Sequence, residues 1–109
     1  MSDTDQEQLE RELEEQLKSL RIEDILVQSL VTASAIGFRR LGLSEDTRQD
    51  RDLGQSQAAI EVMEALVPVL EKLLPEDLVA SLRSSTTELK LAYVRAVSET
   101  AGGGPDEKE

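Results

Sequence analysis

The sequence has no cysteine, no histidine and no tryptophan, and its only aromatic residues among 109 are Phe38 and Tyr93. Without cysteine, disulfides, thiolate chemistry and sulfur-ligated metals are excluded. Without histidine, the commonest metal ligand and the usual general base are missing. With two rings in the whole chain, a core must be built from Leu, Ile, Val, Ala and Met. Such a core suits helices packed through aliphatic stripes better than a β-sandwich, whose strands favour aromatic and β-branched residues. Basic residues are scarce too, 12 Lys and Arg against 23 Asp and Glu, for a net charge of -11. That surface repels phosphate backbones and anionic lipid heads, so neither nucleic acid nor a charged membrane surface is an expected partner. A long hydrophobic run is also lacking. The uncharged stretch between Asp24 and Arg39 is fourteen residues and is diluted by Gln28, Ser29, Thr32 and Ser34. A bilayer demands ~20, so no membrane span is expected. The N-terminus is acidic and polar, the reverse of a signal peptide's layout, and the default expectation is a cytoplasmic protein.

What the chain does have is helical periodicity, bounded by charged ends. Residues 1–24 hold nine acids and three bases, residues 25–97 ten and eight, and residues 98–109 four and one. This profile predicts a core domain over 21–97, an acidic N-terminal segment over 1–20 and a disordered acidic tail over 98–109. Asp5–Leu20 carries Leu9, Leu13, Leu17 and Leu20 on one helical face, a narrow stripe that makes a marginal helix unless it packs on something. Over 22–41, Ile22, Ile25, Leu26, Ser29, Leu30, Ala33, Ile36 and Gly37 follow the i, i+3, i+4 rule, and Val27, Val31, Ser34, Phe38 and Leu41 make a second stripe. A helix apolar on most of its circumference is buried on most of it. Gly42 suits a helix C-cap, and the polar run from Ser44 to Asp52 reads as a loop. A helix over 53–74 follows through Ala59, Met63, Leu66, Leu70 and Leu73, with Pro68 expected to kink it or break it in two. A last helix over 76–97 is introduced by Pro75 and its first-turn acids Glu76 and Asp77. Ser85 and Glu88 have the spacing of a capping box that would restart it.

Three stretches together resemble a family of small bacterial helical proteins known as domain of unknown function 1844. They are Ile22-Glu23-Asp24-Ile25-Leu26 through Leu41-Gly42, then Ala59-Ile60-Glu61-Val62-Met63, and finally Leu74-Pro75-Glu76-Asp77 with Leu89-Lys90-Leu91-Ala92-Tyr93-Val94. The resemblance implies a helical fold and supplies no activity, substrate or functional residue.

Chemistry-bearing patterns are few. Glu61, Glu64 and Glu71 share a helix, but di-iron bundles pair such glutamates with histidine, which is absent. Asp50, Asp52 and Glu61 fall at the first, third and twelfth positions of a calcium loop. Gln55 stands where its turn glycine belongs, and Gly54 at the fifth position offers no ligand side chain. No nucleophile elbow and no phosphate-binding loop occurs. Arg39 and Arg40 would suit an anion, yet two cations at a helix C-terminus also offset its dipole. No catalytic, cofactor-binding or metal-ligating residue is therefore assigned, and no cofactor is expected. Ser29, Ala33 and Gly37, small residues four apart, allow another backbone to approach closely. With Ile25 and Ile36 they form the candidate interface.

The expectation is an all-α domain of three to four helices, completed by dimerisation. Its expected role is a non-catalytic, self-associating interaction module, a homodimer with room for a further, unidentified protein partner. The competing readings are a small carboxylate-based enzyme with an exogenous cofactor, and a peripheral membrane protein docking through Ile25–Phe38.

Overall fold

The computed structural model describes residues 3–100 and contains four α-helices, with no strand among the described residues. They are α1 (Asp3–Ser19), α2 (Ile22–Arg39), α3 (Leu53–Glu71) and α4 (Glu76–Ser98), with one 3₁₀ turn at Arg48–Asp50. The all-α expectation is met. α2, α3 and α4 pack on one another, α2 most extensively on α3. Their shared core holds Leu30 and Leu41 near α2, Ile60, Met63, Val67 and Leu70 from α3, and Val79, Leu89, Ala92 and Ala96 from α4. α1 buries no residue at all.

The local chemistry explains where each helix starts and stops. α2 begins after an extended Arg21, whose backbone N–H donates to the Asp24 carboxylate at 3.2 Å. Glu23 and Asp24 then face the positive end of the helix dipole. α2 ends through Gly42, whose φ of 63° only glycine adopts freely. The carbonyls left over at that end are satisfied by the loop. Arg51 Nε donates to the Leu41 carbonyl at 2.7 Å, Arg51 Nη2 to that of Gly42 at 3.2 Å, and Asp52 N–H to that of Arg40 at 2.7 Å. Asp52 then serves as the α3 N-cap, its carboxylate accepting from Gln55 N–H.

α3 runs unbroken through Pro68, so it is not split in two. Likewise α4 is continuous across Ser84–Thr87 and does not restart at Ser85. In both cases an amphipathic face packed against neighbouring helices outweighs a local weakness. α4 also continues to Ser98, and Glu99 pairs with Arg51 at 3.0 Å. Residues 98–100 thus belong with the last helix, whereas the tail expected over 101–109 lies outside the described residues.

Candidate functional site

The candidate interface residues on α2 divide between two sides of the helix. Ile25 and Ile36 are 47% and 45% exposed, and Ser29 is exposed with them. Ala33 is half-buried against the core, and Gly37 is buried. The reason is helical drift. Each step of four residues overshoots a full turn by about 40°, so Ser29, Ala33 and Gly37 rotate progressively from outside to inside. Ile25, Ser29 and Ile36, which mix steps of three and four, stay outside.

Gly37 does mark a close helix crossing, with helices of the same chain. A Cβ there would lie 2.7 Å from Leu89 Cδ2 and 3.0 Å from Ala59 Cβ. Across this crossing the Ser56 hydroxyl, fully buried, donates to the Gly37 carbonyl at 2.8 Å. Leu41 N–H meanwhile turns to the Phe38 carbonyl, so Ser56 supplies a partner where the helical ladder ends. Ser56 and Arg51 are the structurally decisive polar residues that sequence reasoning missed. An uncharged serine on an apolar helix face is the one signal that hints at the first. Nothing local hints at the second.

Exposed apolar side chains follow one another along the sequence from α1 into α2. Leu9, Leu13 and Leu17 are 54%, 56% and 61% exposed, and Leu20, Ile22 and Ile25 carry the surface through the joint. α1 frames its leucines with seven acids and two bases, whereas α2 has no charge between Asp24 and Arg39. A smaller apolar patch, Leu91 and Val94, lies on α4 with Arg95 beside it.

Two of the three α3 carboxylates considered for metal binding are engaged in ion pairs. Glu64 pairs with Lys90 at 2.6 Å, and Glu71 pairs with Arg83 at 2.6 Å, stitching α3 to α4. The hydrogen bonds that Arg83 donates to Glu71, then to Glu76, raise its pKa above the ordinary guanidinium value. These pairs border a shallow groove of about 340 Å³ floored by Val67, Pro68 and Thr86. Thr86, Thr87 and Lys90 line it beside the paired Glu64 and Glu71. No group of three or more carboxylates among the described residues is placed to hold a metal ion. Asp50 of the calcium-like spacing sits in the 3₁₀ turn and pairs with Arg39 at 2.8 Å. Arg40 in turn donates to the Asp50 carbonyl at 3.1 Å, so both arginines anchor the loop. No described helix is long and apolar enough to cross a membrane. No family model, curated protein or solved structure matches the chain.

Proposed function

We propose that this protein is a non-catalytic, self-associating helical module, a homodimer in the cytoplasm, joined through the exposed apolar surface of α1 and α2. One observation carries the reading. The large aliphatic side chains Leu9, Leu13 and Leu17 of α1, Leu20 of the joint, and Ile22, Ile25 and Ile36 of α2 stay exposed while the core of α2–α4 closes without them. Exposed aliphatic side chains gathered in this way mark an interaction site.

Magnitudes decide how much of the surface must be used. Covering a half-exposed Leu or Ile contributes about 1 kcal/mol. Association costs roughly 4–15 kcal/mol in lost freedom. A contact through two or three of these residues would therefore not hold, and the whole stripe must act as a unit. The resemblance to the domain of unknown function 1844 family is compatible with this reading and adds no activity to it. The pairing of Glu64 with Lys90 and of Glu71 with Arg83 supports the non-catalytic reading, and the net charge of -11 opposes docking on anionic lipid.

The test is the molar mass in solution by light scattering, for the parent chain and for Ile25→Lys/Ile36→Lys. Both positions are exposed, so the fold should persist and helicity should be unchanged. The parent is expected at twice the chain mass and the variant at the chain mass. Equal masses for the two would refute the assigned surface.

A further inference from the structure

Given self-association through this surface, the remaining question is which helix meets which. α1 presents four leucines counting Leu20, framed by seven acids against two bases. It therefore needs a surface that is apolar and free of negative charge. A second α1 fails the charge condition, because two such helices side by side would repel along their whole length. The Leu91–Val94 patch on α4 fails on length, since it spans one turn while Leu9 to Leu20 spans about 16 Å.

The outer side of α2 meets both conditions when it runs antiparallel to α1. α2 carries Glu23 and Asp24 at its start, no charge through its middle, and Arg39 with Arg40 at and just after its end. Asp50 neutralises Arg39, and Arg40 keeps its charge. In an antiparallel pair the acidic first half of α1 lies beside this basic end, and Lys18 lies beside Glu23 and Asp24. The opposed helix dipoles also favour that direction. The spacing agrees, because Leu9 to Leu20 and Ile36 to Ile25 are the same interval. Setting Leu9 opposite Ile36 brings Leu20 opposite Ile25, with Leu13 over Thr32 and Leu17 over Gln28.

The joint decides whose α2 is used. Leu20 and Arg21 form a two-residue elbow in which Arg21 is extended, with its N–H held by Asp24 and its Nε by Glu23 at 3.1 Å. In that conformation α1 buries nothing on its own chain. We propose that the dimer exchanges arms: α1 of each copy lies antiparallel along the outer face of α2 of the other copy.

Because the chain has no cysteine, single substitutions report the pairing directly. Full-length Leu9→Cys is mixed with full-length Ile36→Cys or with Ile22→Cys, oxidised mildly and resolved without reductant. All three positions are exposed, and circular dichroism checks that helicity is kept. Arm exchange predicts that Leu9→Cys cross-links to Ile36→Cys about tenfold or more faster than to Ile22→Cys or to itself, since a disulfide requires its Cα atoms within roughly 7 Å. Dominant Leu9→Cys self-linking would overturn the proposal in favour of paired α1 helices, and preference for Ile22→Cys would indicate a parallel pair. A doubly substituted Leu9→Cys/Ile36→Cys chain that closes on itself at high dilution would overturn it in favour of an intrachain hairpin. A dimer by sedimentation with no preferred link would refute arm exchange alone, leaving self-association standing. A monomer at every concentration would refute both.

Discussion

Gly37 and Ser56 meet where α2 crosses α3, and the physics of each can be tested singly. Replacing Gly37 by Ala gains about 1 kcal/mol of helix propensity. It also drives a methyl group into Leu89 and Ala59, and overpacking of this kind typically costs about 1–3 kcal/mol. The Ala59 Cβ is the harder obstacle, since it is attached directly to the α3 backbone. Gly37→Ala is therefore expected to be neutral to destabilising by about 2 kcal/mol in thermal melting. Gly37→Leu should lose helicity and stability together at every concentration, because the crossing is within the chain. Stabilisation by Gly37→Leu would contradict that placement. Ser56→Ala removes the hydroxyl that bridges the crossing and leaves the Gly37 carbonyl without this partner, an expected loss of about 1–3 kcal/mol by denaturant unfolding. Glu23 gives a pH signature. Its own backbone N–H, and then the Arg21 guanidinium, hold its carboxyl below the ordinary 4.5. A depressed folded-state pKa contributes stability that is present above the unfolded value and lost as pH falls through the folded one. The parent chain should therefore melt above Glu23→Gln at neutral pH, and the gap should close as the solution is acidified below about pH 4.5. A gap that widens on acidification would contradict the cause assigned here.

Among the elements, what the sequence disclosed followed from how local each signal is. Helix positions were readable because periodicity, Asp52, Gly42 and Pro75 act within a few residues of the boundary they set. The division of α2 into inner and outer sides was less so. Ile36 and Gly37 belong to one apolar stripe in the sequence, and only the packing of α3 and α4 against α2 decides that Gly37 is buried and Ile36 exposed. Pro68 was read as a kink or break because the local rule ignores packing, and α3 is held continuous by six buried side chains. Arg51 was not legible at all, since its partners, the Leu41 and Gly42 carbonyls and Glu99, are brought to it by the loop and by the end of α4. α1 is the element whose independence has the clearest consequence. It buries nothing within the chain, so removing residues 1–20 should leave the unfolding of α2–α4 unchanged within about 0.5 kcal/mol when measured on the monomer at high dilution. A larger loss there would mean that α1 docks on its own chain.

The whole molecule joins a three-helix core to exposed apolar side chains that the core does not bury. The core is small, and Leu9, Leu13, Leu17, Leu20, Ile22, Ile25 and Ile36 stay exposed beside it in an otherwise acidic protein. Sedimentation velocity on the intact chain and on the chain lacking residues 1–20, over a hundredfold concentration range, tests this most directly. The intact chain is expected to sediment as a dimer that dissociates on dilution, and the shortened chain as a folded monomer throughout. An intact chain that remains monomeric at the highest concentration, or a shortened chain that dimerises as strongly as the parent, would contradict the account.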